Sequence, residues 1–141
     1  METTTKNRIT VETVVNAPVE KVWNTWNEPE HIKAWCHASD DWHAPASTND
    51  LRTGGTFSTT MAAKDGSFSF DFGGVYDNVK ENELIEYTMG DGRQAQIIFT
   101  KQGDSTKVVE TFDAEGTHSL DMQKAGWQAI LDNFKKYTES V

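Results

Sequence analysis

The chain of 141 residues holds one cysteine, Cys36. A single thiol excludes an internal disulfide, so the fold must rest on packing, and it suits a reducing compartment. No stretch approaches the run of about eighteen apolar residues that a membrane-spanning helix needs. The opening residues Met1-Glu-Thr-Thr-Thr-Lys carry no apolar run, so no signal peptide and a cytoplasmic location are expected. Positive charge is also scarce: 13 Lys and Arg stand against 22 Asp and Glu, a net charge of −9. Phosphate contacts need a basic face, so nucleic acid is not an expected partner, and neither is an anionic membrane surface. Prolines number three, and each falls where an element begins or lies at an edge. There are no repeats, low-complexity tracts or linkers, and residues 1–141 read as one domain. At this size about two-thirds of the unfolded surface can be buried. The first five or so residues are expected to be disordered.

Known catalytic signatures are missing too. The sequence has no GxSxG, phosphate loop, HExxH or dinucleotide fingerprint, and no cofactor is expected. Gly54-Gly55 and Gly73-Gly74 have no helix starting after them, which is the wrong context for phosphate.

What the chain has in quantity is aromatic side chains: five Trp, seven Phe and three Tyr. They are organised around one segment. From His118 to Ser140, Leu120, Trp127, Ile130, Leu131, Phe134 and Tyr137 recur at the spacing of a single helical face. Ser119 can cap this helix, Asp121 suits its first turn, and Lys135 and Lys136 suit its last turns. About twenty residues give a rod of roughly 30 Å, enough to cross a small domain. Gly126 costs about 1 kcal/mol against alanine inside a helix, so something bulky or another backbone is expected to pass close beside Trp127.

Everything ahead of this helix reads mostly as strand. Residues 8–15 are rich in Ile, Val and Thr. Pro18 opens a short helix over 18–27, with Val19, Val22, Trp23 and Trp26 on one face. Pro29 breaks it and starts a second, through Trp35, with Ile32 and Trp35 inward. Residues 36–50 are the least regular, with a short edge strand at 42–45 that tolerates Pro45. Strands follow over 56–63, 67–79, 83–89, 93–101 and 106–113, joined by short turns such as Lys64-Asp65-Gly66. Gly73-Gly74 inside a strand predicts a bulge or bend. Short connections predict an antiparallel meander.

Candidate chemistry is thin. Cys36, His37, Asp40, Asp41 and His43 cluster in sequence, but zinc needs three or four ligands, usually as paired spacings, and no second Cys/His pair exists; no metal is expected. Cys36 with a histidine base has the residue types of a nucleophile pair, but spacing cannot supply the geometry. Glu12 and Glu110 sit in apolar strand sequence, and either could face the interior, where a carboxyl has a raised pKa and can act as acid or base. No catalytic residue is assigned. The aromatics carry the stronger reading. A curved sheet cannot pack all of its inner face on one helix, and the space left would be lined by Phe57, Met61, Phe70, Phe72, Tyr76 and Tyr87 from the strands and by Trp127 and Leu131 from the helix, with Trp35 and Trp42 near its mouth.

These residues carry a resemblance. Asn16-Ala-Pro-Val-Glu-Lys-Val-Trp-Asn-Thr-Trp26, Pro29-Glu-His-Ile-Lys-Ala-Trp35, Asp50-Leu-Arg-Thr-Gly-Gly55 with Met61, Gly74-Val-Tyr-Asp-Asn-Val79 and Gly126-Trp127 stand in an order similar to the START-like superfamily. The nearer resemblance is to the branch of activators of heat-shock-protein-ninety ATPase, over about residues 7–138. It implies an α+β helix-grip fold: a curved, seven-stranded antiparallel sheet around a long C-terminal helix, with two short helices after the first strand and an apolar cavity between sheet and helix. It does not imply a defined activity; the aromatic inventory and the absence of a catalytic signature point to a small hydrophobic or amphipathic ligand held in that cavity. The alternatives from the same superfamily are a cyclase- or hydrolase-like enzyme using the interior carboxylates or the Cys36, His37 and His43 mouth, and a stress-linked co-chaperone-like domain with a chaperone partner. A monomer or weak homodimer is expected.

Overall fold

The computed structural model describes residues 8–116 and 118–141; the first residues, expected to be disordered, lie outside them. The elements are β1 (Arg8–Val15), α1 (Val19–Asn27), α2 (Pro29–Trp35), β2 (Trp42–Asn49), β3 (Thr56–Ala63), β4 (Ser69–Lys80), β5 (Leu84–Met89), β6 (Gln94–Gln102), β7 (Ser105–Asp113) and α3 (Leu120–Ser140). The strands form one seven-stranded sheet in the order β1-β7-β6-β5-β4-β3-β2. Every neighbouring pair is antiparallel. Strands β2 to β7 are therefore a simple meander, and β1 joins its far side. The α+β helix-grip architecture read from the sequence is the architecture observed.

Period-two alternation sets the inner face. Ile85, Tyr87 and Met89 are buried on β5, as are Thr106, Val108, Glu110 and Phe112 on β7. On β1, Ile9, Val11 and Val15 point inward while Glu12 stands outside, 3.8 Å from Lys107 Nζ. Pro18 sits just ahead of α1, and Pro29 opens α2 where its missing N–H costs nothing. The two short helices bring Trp23, Trp26 and Trp35 onto the inner face. Trp26 lies 5.0 Å from Trp35 and 4.8 Å from Phe134 between ring centroids, and Trp23 lies 5.2 Å from Phe99. Trp35 Nε1 donates to the Thr25 carbonyl at 3.0 Å, so the indole is buried with its polar atom satisfied.

Helix α3 is 21 residues long and capped as its sequence predicts, with the Met122 N–H donating to Ser119 Oγ at 3.1 Å. Its buried positions are Gln123, Leu131, Phe134 and Thr138.

Four expectations are corrected. Leu120 is exposed rather than inward, because the first turn of α3 stands clear of the core. The Gly73-Gly74 pair holds regular register with β3, and the irregularity comes later, between Tyr76 and Asn78. The glycines answer a different need. A Cβ on Gly73 would lie 2.4 Å from the Phe57 carbonyl oxygen, and one on Gly74 would lie 2.3 Å from that of Thr88, so the neighbouring strands approach too closely for a side chain. The irregular segment after Cys36 resolves into an eight-residue edge strand, β2, whose register slips between His43 and Ala46, around Pro45. Finally, nothing crowds Gly126: a Cβ there would meet no atom within 4 Å.

Candidate functional site

Between the sheet and the first half of α3 lies a cavity of about 530 Å³, partly open to solvent. Trp127, one side of it, stacks flat on Phe112 of β7, with centroids 3.7 Å apart and rings inclined by 11°. This stack ties the helix to the sheet without filling the space beside it. Gly126, one residue earlier, faces the same space, and its missing side chain is part of the reason the space exists.

Of the residues expected to line a ligand space, Trp35, Met61, Phe70, Phe72, Tyr87 and Trp127 border this cavity. Trp35 is not at the mouth but buried at the inner end, against Trp26 and Phe134. Phe57 lies behind the wall, against Phe72, Tyr76 and Tyr87. Tyr76 is drawn the same way by its hydroxyl, which donates to Asn49 Oδ1 at 2.6 Å. Leu131 lies one helical turn beyond Trp127, past the cavity, and is fully packed in the core. Trp42 stands outside, in a group with Phe68 and Phe70, because edge strand β2 carries it away from the helix.

The lining not named from the sequence is both apolar, with Trp26, Met122 and Ile130, and polar, with Arg93, Glu115, His118 and Gln123; Cys36 and Glu110, weighed there only as candidate chemistry, line the space as well. Glu110 is the most unusual of these. It is 6% exposed, on the inner face of β7 between Val108 and Phe112, and no side-chain hydrogen bond reaches it among the described residues. Burial pushes its carboxyl up to about 8. Its parity with Val108 and Phe112 was the available signal. Cys36 closes α2 and lines the cavity; burial first, and the charge of Glu110 second, push its thiol up to about 12. A thiol held so high is neutral and a poor nucleophile. Tyr87 is pushed well above the ordinary phenol value by burial and then by Glu110.

At the mouth, Gln123 pins the segment leading into α3. Its Oε1 accepts the Glu115 N–H at 2.8 Å, and its Nε2 donates to the Glu115 carbonyl at 3.1 Å and the His118 carbonyl at 2.9 Å. The Glu115 carboxylate accepts the His118 N–H at 2.6 Å and lies 3.1 Å from His118 Nδ1. Arg93 Nε donates to Asp91 Oδ2 at 2.7 Å.

The Cys36 and His37 pair does not converge. Cys36 faces the main cavity, while His37 lines a separate hollow with Asp40, Asp132 and Lys136, its Nε2 3.0 Å from Asn133 Nδ2. Burial and then the charge of Lys64 lower the His37 pKa. Among the described residues no three His, Cys, Asp or Glu side chains gather as metal ligands, and no helix is long and apolar enough to cross a membrane.

Comparison with known proteins places this geometry. The family described as "Activator of Hsp90 ATPase homolog 1-like protein" matches residues 16–139. The solution structure of the AHSA1-like protein from Aeromonas hydrophila is 45% identical, with a TM-score of 0.89 over 95% of this chain and 93% of that one. A protein from Cytophaga hutchinsonii, also solved in solution, is 64% identical, with a TM-score of 0.82 over 94% of this chain and 92% of its own. A protein from Chromobacterium violaceum shares the fold at 20% identity, with a TM-score of 0.85 over 94% and 98% of the two chains. No curated protein matches.

Proposed function

The chain belongs to the family of Activator of Hsp90 ATPase homolog 1-like proteins, and on that premise we propose that it binds a small hydrophobic or amphipathic molecule between its sheet and α3. The observation that carries this is the cavity itself. About 530 Å³ of space is walled by Trp26, Trp35, Phe72, Tyr87 and Trp127, and ligand sites are typically spaces of this size, lined by apolar and aromatic groups with a few polar ones. Trp127 ties the helix to the sheet through Phe112, and Gln123 holds the segment between β7 and α3 against the helix. A cytoplasmic location accords with the free, buried Cys36.

Native mass spectrometry of gently purified protein, set beside the denatured mass, tests this reading. A reproducible extra mass that vanishes on denaturation is expected. A clean apo mass, together with no thermal shift from any of a panel of apolar amphiphiles, would overturn it.

A second reading rests on Glu110. A buried carboxyl raised toward neutrality is suited to hand a proton to a bound molecule or to take one from it, which would make the cavity catalytic. It predicts turnover that Glu110→Gln abolishes while binding persists.

A further inference from the structure

We propose that the cavity takes an amphipathic organic cation, an amine or quaternary ammonium on an apolar body, with its nitrogen seated against Glu110. This rests on the ligand-binding reading above and names the class of ligand.

The geometry supplies the argument. Glu110 is buried at the cavity wall, and no described side chain donates a hydrogen bond to it. A buried carboxyl without a partner is costly, and a partner supplied by the ligand removes that cost. The walls around it include the aromatic rings of Trp35, Phe72, Tyr87 and Trp127, and aromatic rings attract a cation placed over a free face. An anionic ligand would find little positive charge on this wall. The one permanent cation on the wall, Arg93, is already engaged by Asp91 at 2.7 Å. The chain's net charge of −9 also draws cations toward it.

The titratable groups sharing the space with Glu110 are Cys36 from the end of α2, Tyr87 from β5, Arg93 ahead of β6, and Glu115 and His118 ahead of α3. The first two stay neutral near pH 7, their thiol and phenol both pushed up by burial. Glu110 itself, raised to about 8, keeps its proton at neutral pH in the empty cavity. Seating a cation beside it favours the carboxylate, so binding releases that proton to solvent.

The test compares benzyltrimethylammonium with its uncharged carbon counterpart, neopentylbenzene, by quenching of tryptophan fluorescence in the full chain. The cation is expected to bind about tenfold tighter. Its affinity should rise with pH, by about tenfold per unit below the Glu110 value, while neopentylbenzene shows no such slope. In Glu110→Gln the slope should vanish and the advantage of the cation should shrink to what the aromatic walls alone supply, with neopentylbenzene bound as before. The pH profile of the unaltered chain reads the same link without any variant. A cation bound no tighter than neopentylbenzene, or a pH-independent affinity, would overturn this inference and leave the cavity reading standing. If neither probe binds, this inference falls, and the cavity reading falls with it only when the amphiphile panel and the native mass are also negative.

Discussion

Along its second half α3 presents Leu131, Phe134 and Thr138 to close-packed partners; along its first half it presents Gln123, Gly126 and Trp127 to a cavity. The same helix and sheet thus make a solid core at one end and a space at the other. At the solid end, α1 and α2 add a third layer, and Trp26 and Trp35 close around Phe134 at centroid distances of 4.8 and 4.9 Å. At the open end no helix adds that layer. The helix carries a glycine there, and the sheet surface opposite it includes a lone carboxyl. The difference shows that the cavity of this chain is made by what is left out of one half of the packing.

Changes at either end can break or sharpen that contrast. The largest effect should come from Glu110. In the unfolded chain its proton leaves near 4.5, whereas the folded chain keeps it up to about 8. Between those values the native state binds the extra proton, so stability falls as pH rises across that window and stays reduced above it. The full difference is about 5 kcal/mol at most. Urea unfolding across this range should show that slope in the natural chain and lose it in Glu110→Gln; equal slopes would place the carboxyl in a wetter site. Next, Phe134→Ala should cost about 4 kcal/mol, the usual range for emptying a fully buried aromatic site. Trp127→Ala should cost about 2 kcal/mol, since the ring is half-buried and one face is covered by Phe112. It should also weaken any cavity ligand beyond its effect on folding. If Trp127→Ala costs as much stability as Phe134→Ala, the two ends are equally packed and the contrast fails. The smallest change is Gly126→Ala, expected to stabilise by about 1 kcal/mol, because helix propensity improves and the new Cβ meets nothing. Calorimetric melting checks it, and a lowered Tm would mean the space is narrower than described.

Much of the frame was legible in the sequence. Alternation on residues 84–89 and 106–113, the helical period after Ser119 and the two prolines that start short helices are local signals, and each element formed where its pattern said. The site was legible in part. Six of its aromatic and methionine walls could be named because strand parity and helical face placed them. Phe57, Tyr76 and Leu131 share those parities and faces yet lie behind the wall, since which inward residue borders a gap depends on where the gap is. Glu110 and Glu12 looked alike in sequence. The register Val11↔Glu110 puts Val11 and Glu110 side by side on the inner face, and Glu12, one residue on, is turned outward. Gly126 was expected where something crowds and the Gly73-Gly74 pair at a bulge; instead the helix glycine borders open space, and the strand glycines sit in regular register where backbones crowd.

By itself the sequence determined the elements, their order and the antiparallel meander, because hydrophobic period, caps and short turns act over a few residues. Only the tertiary structure decided that Cys36 and His37 face different spaces, that Glu110 lies inside with no hydrogen-bonding side chain among the described residues, and that room remains beneath one half of α3. A cavity is the difference between the space enclosed by a curved sheet and the volume of the side chains entering it. That difference is set by elements distant in the chain, and no local pattern encodes it.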